Sequence, residues 1–515
     1  MKEILQPKFE SLEPKTILNH LEQLTEQNTL LHTEILNHLK EQLKPIDFES
    51  LAFPQIEKYR KELEITEVGS KEAKDLIKKI DSYKITEKHY LIISIENILK
   101  HAEINDWGIC KHDCYIYLYN GCFWKEINKD EIQKFLGESS QKIDVPEFSA
   151  KFFQFREKLF KQFMATAYLE KPKPKKNTVF INLQNGTFEI TPNKAYLRNF
   201  DRKDFITYQL PFEYNPEAKA PMFEEYLNKV LPDISKQKVL AEYLGYVFIK
   251  QGSESLKLEK ALILYGSGAN GKSVFYEIVN ALLGSENTSN YSLQNLTDEN
   301  GYFRAKIANK LVNYASEING KLESSIFKQL VSGEPLGARL PHGEPFELRE
   351  YAKFIFNCNE LPKDVEHSHA FFRRFLIIPF DVTIPAEERD TQLANKIINN
   401  ELSGVFNWVL AGLNRILEQK NFSVCEAANN VLKQYQVESD TVQLFLEDYE
   451  FEKCSDDYVL MKDLYPLYRS FCIDDGCIAI KKINFRKRLE NLSIVIDKKG
   501  SIGNVVYISS KKLRL

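Results

Sequence analysis

Cysteine is scarce in this chain, eight residues in 515 scattered from Cys110 to Cys477. A small disulfide-stapled fold is thereby excluded, because such folds are short and cysteine-dense. Glycine and proline are sparse as well, 21 and 19 positions, which removes collagen-like and low-complexity scaffolds. Long apolar runs are missing: stretches such as Phe375–Phe380 fall far below the ~18 residues a bilayer-crossing helix needs. The first ten residues, MKEILQPKFE, set Glu3, Gln6 and Lys8 where a secretory leader requires an unbroken apolar core, so a cytoplasmic protein without a membrane partner is expected. A dominant charge of one sign is absent too. With a formal net charge of −4, any nucleic-acid binding has to come from local patches. What remains is an ordinary globular balance, 43% hydrophobic and 28% charged, in a chain long enough for about three to five domains.

The periodicity changes along the chain. Ile17, Leu21 and Leu24, then Leu31, Ile35, Leu39 and Leu43, recur at helical spacing, so residues 1–100 are expected to form a helical domain. Residues 101–215 shift towards period two, with Tyr115–Tyr119 and Val179–Leu183 as strands and Asn120-Gly121 and Asn185-Gly186 as turns, an α+β segment. Lys171-Pro172-Lys173-Pro174-Lys175-Lys176 reads as a solvated linker. Helical spacing returns over 216–255, with Phe223, Tyr226, Leu227 and Val230 on one face. From Lys260 to Phe380, short apolar runs alternate with helices, the pattern of a mainly parallel α/β sheet. No repeat of about 20–50 residues is visible. Cys110, His112, Cys114 and Cys122 lack a second pair at zinc spacing and are expected to be structural. His367 and His369 are expected in an exposed loop.

Ala261–Tyr265, a buried-strand candidate, runs straight into Gly266-Ser267-Gly268-Ala269-Asn270-Gly271-Lys272-Ser273, a complete GxxxxGK[ST] loop. Its glycines allow successive N–H groups to turn towards phosphate oxygens, and the following helix aims its positive end at the same charge. Lys272 is expected to reach the β- and γ-phosphates of ATP, and Ser273 to ligate Mg²⁺. Hydrolysis also needs a carboxylate near the attacking water. Glu317, at the end of the apolar run Leu311–Ser316, is the candidate, both to polarise water and to help hold the metal. A third run, Lys353–Cys358, leads to Asn359, whose amide can orient water or the γ-phosphate. Arg373 and Arg374 then precede a fourth apolar run, as an inserted arginine finger requires.

The order of phosphate loop, Glu-terminated strand, Asn-terminated strand and Arg-Arg resembles the superfamily 3 helicases, and among them the primase-helicases of phages, phage satellites and plasmids. The likeness includes Ser316-Glu317, Phe327-Lys328, Ser332-Gly333-Glu334, Ala338-Arg339, Asn359-Glu360-Leu361-Pro362, Arg373-Arg374 and Ile378-Pro379-Phe380, with Asn185-Gly186 and Tyr214-Asn215-Pro216 upstream. It implies an AAA+ P-loop core over 256–425, preceded by the helical (1–100) and α+β accessory (101–215) domains and a helical collar (216–255). The Asn359 strand would lie between the other two. It further implies a hexameric ring with ATP between subunits, Arg373 or Arg374 reaching the neighbour's phosphate, and a channel hairpin in which Arg339 and His342, with Lys328 behind, grip single-stranded DNA. Many members end the second strand with two acids; here Ser316-Glu317 leaves metal support to Ser273 and Glu317.

The carboxy-terminal segment, 426–515, reads as linker helices followed by helix, helix and hairpin. This arrangement resembles a winged helix. From Ile478 onward ten Lys or Arg face only Glu490 and Asp497, and Lys481, Lys482, Arg486, Lys487 and Arg488 make the second helix basic, as a reader of double-stranded DNA would be. The expected activity is ATP-dependent DNA unwinding, 3′–5′ by resemblance, in the replication of a phage, plasmid or other mobile element, alongside host- or element-encoded replication proteins. The alternative is a DNA-responsive AAA+ ATPase switch or an origin-binding initiator without processive unwinding. The first 100 residues show no paired-carboxylate site, so priming is not expected.

Overall fold

The computed structural model describes residues 31–170, 177–192, 194–250, 256–316, 318, 323–341, 343–362, 365–477, 479–510 and 512. The linker expected at 171–176 lies outside the described residues. Two compact units form: the first reaches Glu213, apart from Thr191–Lys194, and the second begins at Tyr214.

In the first unit, helices α1 (His32–Gln42) and α2 (Glu87–Ile104) precede an antiparallel sheet of β1 (Ile109–His112), β2 (Tyr115–Tyr119) and β3 (Trp124–Ile127). Helices α3 (Lys129–Lys142) and α4 (Phe153–Thr166) follow, then a second antiparallel sheet of β4 (Val179–Leu183), β5 (Gly186–Ile190) and β6 (Ala195–Arg198). Ile35 and Leu39 of α1 and Ile95 of α2 share one core with Leu118, Leu136 and Leu159, so side chains on both sides of residue 100 bury together. The turn at Asn120 works as its chemistry dictates. Its Oδ1 accepts from the N–H of Cys122 (3.1 Å) and Phe123 (2.8 Å), while Gly121 takes a φ of 91°. Cys110 is buried on β1, which pushes its thiol up to about 12, and among the described residues no three His, Cys, Asp or Glu side chains converge to hold a metal.

The second unit opens with α5 (Pro221–Val230) and α6 (Ile234–Tyr246) and is organised on a parallel sheet of β7 (Ala261–Tyr265), β8 (Thr288–Ser289), β9 (Val312–Ala315), β12 (Lys353–Cys358) and β13 (Phe375–Pro379), ordered β13-β7-β12-β9-β8. Every side chain from Ala261 to Leu264 is fully buried; a central parallel strand is covered on both faces, hence its unbroken apolar run. Between β9 and β12 stand α7 (Ser324–Ser332) and an antiparallel hairpin of β10 (Leu336–Arg339) and β11 (Pro345–Leu348). A 27-residue helix, α8 (Leu393–Gln419), then returns against α6. The two backbones approach at glycines: a Cβ on Gly412 would sit 2.2 Å from the Ala241 carbonyl carbon, and one on Gly245 would sit 2.6 Å from the Leu413 nitrogen. The same long helix caps α5, where Glu401 accepts from the N–H groups of Met222 (3.0 Å) and Phe223 (2.9 Å), a carboxylate on the positive end of a helix.

The carboxy-terminal segment contains α9 (Thr441–Asp448), β14 (Phe451–Lys453), β15 (Val459–Leu460), α10 (Met461–Asp474), α11 (Lys482–Asn491), β16 (Ile496–Lys499), β17 (Gly503–Val506) and β18 (Ile508–Ser510). β15 and β16 flank β17, and β14 pairs with β18. Phe445, Leu464, Tyr468, Phe485 and Leu489 form a separate core there. No described helix is long and apolar enough to cross a membrane.

Candidate functional site

The loop after β7 is shaped by close backbone approach. The Gly266 N–H donates to the Cys358 carbonyl (3.1 Å), and a Cβ on Gly266 would lie 2.4 Å from the Phe380 carbonyl oxygen. Gly271 has a φ of 89°, and a Cβ there would meet Val230 Cγ1 at 2.8 Å, so both positions demand glycine. Gly268 faces open space. Asn270 is buried; its Nδ2 donates to the Phe380 carbonyl (3.1 Å) and its Oδ1 accepts from Lys272 Nζ (3.1 Å). Lys272 also donates to the carbonyls of Ser267 (3.3 Å) and Gly266, and burial pushes its ammonium below the usual lysine range. The Tyr226 hydroxyl donates to the Gly271 carbonyl (2.8 Å), tying α5 to the start of the helix Lys272–Leu283.

The sheet order brings separate parts of the chain to this loop. Cys358 of β12 stands opposite Tyr265 of β7, and Phe356 opposite Ala315 of β9, so all three strands end at one edge. There a cleft of about 420 Å³ is lined by the loop from Gly268 to Val274, Ser316, Asn357 and Asn359, within the ~300–1,000 Å³ of small-molecule sites. Glu317, next in the chain after Ser316, lies outside the described residues. Asn357, two positions before the expected Asn359, is held by Tyr314, whose hydroxyl donates to its Oδ1 (3.0 Å). Sequence reasoning passed over it, although strand alternation points positions 357 and 359 the same way.

Further wall residues come from beyond the sheet: Tyr226, Lys229, Glu388, Arg389 and Asp390. The Ile384 N–H donates to the Ala269 carbonyl (2.8 Å) and Arg389 Nε to the Ile384 carbonyl (2.9 Å), fastening this segment to the loop. Lys229 pairs with Glu388 (2.6 Å) and Lys396 with Asp390 (2.6 Å). No local motif announced these groups. The loop, the buried lysine and the Ser273 hydroxyl suit a triphosphate, and Mg²⁺ is commonly held by one or two protein oxygens together with substrate phosphates.

Arg373 and Arg374 are not among the residues that line this cleft. Arg374 is 7% exposed; its Nη2 donates to Ser332 Oγ (2.7 Å) and its Nε to the Lys328 carbonyl (3.1 Å). Arg373, with a side chain 46% exposed, pairs with Glu259 (2.7 Å). Lys328, on α7, pairs with Glu366 (2.7 Å). On the hairpin Arg339 is exposed and donates to the Gly343 carbonyl (2.9 Å), while His342 lies outside the described residues. Arg304 braces the hairpin base through the Gly337 carbonyl (2.9 Å). The expectation of an exposed His367 is corrected: its ring is largely covered and bonds to the Ser439 carbonyl.

Lys481, at the N-cap of α11, and Lys482 and Lys487 on it are exposed. Arg486 donates to Glu490 (3.0 Å), and Arg488 donates to Asp440 (Nε, 2.7 Å), a carboxylate that also caps α9 through the N–H groups of Val442 and Gln443. Lys499 of the hairpin lies over the Tyr458 ring at 4.1 Å.

Two family models match parts of the chain. Residues 97–232 match "D5 N terminal like", and residues 264–374 match a family of unknown function (DUF5906). A protein of Acanthamoeba polyphaga mimivirus named "Putative helicase" is 24% identical over 221 residues, covering 40% of this chain. The chain matches 22% of the length of that relative. Among solved structures, the apo C-terminal region of NrS-1 gives a TM-score of 0.45 at 15% identity, over 80% of this chain and 98% of that one. A second form of the same region gives 0.43 at 14% identity over the same shares.

Proposed function

We propose that the chain is an ATP-dependent DNA helicase of the superfamily 3 type, working as a hexameric ring in the replication of a phage, plasmid or other mobile element. The carrying observation is the cleft at the ends of β7, β12 and β9, where Gly268–Ser273, Ser316, Asn357 and Asn359 converge. In this reading the loop N–H groups and Lys272 hold the β- and γ-phosphates of ATP, and Ser273 with Glu317 supports Mg²⁺. The metal, when bound, neutralises charge on the leaving phosphates. Glu317 orients and deprotonates the attacking water; Asn359, with Asn357 behind it, aligns the γ-phosphate. Arg373 is the better finger towards a neighbouring subunit, because it is half exposed on one ion pair, whereas the Arg374 guanidinium is engaged by Ser332 and the Lys328 carbonyl.

DNA contacts are assigned to Arg339 and His342 of the hairpin and to Lys481, Lys482 and Lys487 at the start of and along α11, read as the recognition helix of a winged helix. Lys328, Arg486 and Arg488 are satisfied within the chain and drop behind these three lysines. One observation favours the second reading, a DNA-responsive switch or initiator: Arg339 and Arg349 share the hairpin region with Glu344, Glu347 and Glu350, which weakens a grip on phosphates. A forked-duplex assay with ATP and Mg²⁺ separates the two. Strand separation that is lost in Lys272→Ala and in Arg339→Ala/His342→Ala supports the helicase, and duplexes carrying only a 3′ tail or only a 5′ tail read the 3′–5′ direction. ATP hydrolysis stimulated by DNA without strand separation supports the switch.

A further inference from the structure

A second cavity, of about 490 Å³, opens in the first unit, and nothing in the ATP reading uses it. Its rings are unusual in number: Trp107, Trp124, Tyr168 and Phe205 all line it. Trp124 and Phe205 are buried and stacked, centroids 5.0 Å apart and planes 23° from parallel. Both are pinned. A Cβ on Gly108 would lie 2.3 Å from Trp124 Cη2, so only glycine admits the indole. Trp124 Nε1 donates to the Arg202 carbonyl (2.8 Å), and Phe205 keeps a φ of 48°, a backbone state that a bulky side chain adopts only under constraint. Trp107 is half-buried, and Tyr168 is 60% exposed with Lys111 Nζ 6.0 Å from its ring centroid.

The polar lining carries both signs. Arg202 and the exposed Lys203 contribute cations, Glu103 and Glu170 carboxylates. An apolar peptide side chain would use the rings and none of these charges, of which, among the described residues, only Arg202 has a surface partner, Asp106 at 3.4 Å, that a phosphate would replace. A nucleotide uses each of them: its base stacks on aromatic faces, its exocyclic amino groups donate to carboxylates, and its phosphates pair with lysine and arginine. We propose that this cavity captures an unstacked base of single-stranded nucleic acid, with Arg202 and Lys203 on the flanking phosphates. The inference is independent of the triphosphate site and requires neither ATP nor Mg²⁺.

The chain offers its own probe, because two of its three tryptophans line the cavity. In the full-length Trp408→Phe protein without ATP or Mg²⁺, titration with a dC oligonucleotide, whose bases carry an exocyclic amino group, should quench the remaining fluorescence saturably. Adding Tyr168→Ala and Lys203→Gln, both exposed and so harmless to folding, should weaken that binding about tenfold, the loss of one stacked base, at unchanged melting temperature. Three outcomes would overturn the proposal: an oligonucleotide that fails to bind or binds without quenching, wild-type affinity in the doubly substituted protein, or dCMP that quenches as tightly as the oligonucleotide. The last would assign the cavity to a free nucleotide. Failure of the ATP reading would instead show as unchanged hydrolysis in Lys272→Ala, so the two fail separately.

Discussion

Two neighbouring arginines with the same sequence context have different physical situations. Arg374 spends its guanidinium on Ser332 and on backbone carbonyls, and removing it strands a buried hydroxyl and carbonyl. Arg374→Ala should therefore lower the melting temperature together with activity. Arg373→Ala removes a half-exposed group and should leave the melt unchanged while ATP hydrolysis by the assembled protein falls, up to ~10³-fold if this arginine completes a neighbour's site. The two variants compared by thermal melt and steady-state hydrolysis decide between them. A pH effect belongs to Lys353 at the start of β12, whose ammonium burial pushes down from 10.5 to about 7. Between those values the unfolded chain holds a proton that the folded chain does not, so stability should rise with pH through that window. Lys353→Met should flatten the rise, as read by urea denaturation at pH 7 and pH 9.

At the scale of elements, the α6–α8 contact depends on missing side chains. Gly412→Ala drives a methyl into the Ala241 carbonyl carbon, and overpacking of this kind costs about 1–3 kcal/mol. A drop of several degrees in the melt is expected, and a neutral result would mean that the helices separate freely. The carboxy-terminal module supplies a second comparison. Asp440 is 1% exposed and relies on Arg488, so Arg488→Ala should destabilise the module, by up to ~3 kcal/mol since the arginine is partly solvated. Lys487→Ala removes an exposed side chain and should leave the melt alone while weakening duplex binding and reducing its salt dependence by about one counterion. DNA-binding titrations at two salt concentrations, beside thermal melts, distinguish a contact from a prop.

For the molecule as a whole, the proposed ATP site shared between subunits would make a demand that no single subunit meets. Mixing Arg373→Ala subunits with Lys272→Ala subunits should restore part of the hydrolysis that each lacks alone; hydrolysis at full rate by a sedimenting monomer would exclude a ring. Much of this was legible in the chain. The glycine loop could be read because its eight residues are contiguous and each has a local backbone reason, and the helices Met461–Asp474 and Lys482–Asn491 follow from periodic apolar spacing. Strand identity in the core was legible for the same reason, since centrally buried strands are apolar throughout. Contacts between distant segments were not. Tyr226 and Arg389 reach the cleft from far upstream and downstream of the loop, and Lys328 and Arg488 find their carboxylates 38 and 48 residues away. A cation's spacing in sequence says what it can bind; only packing says whether that capacity is already used, because pairing depends on proximity that chain folding creates. The sequence by itself determined the local chemistry, a glycine-rich loop between a buried strand and a helix and a basic carboxy-terminal helix, whereas tertiary structure decided which asparagines share the cleft, which arginine is already engaged and that four aromatic rings line one cavity.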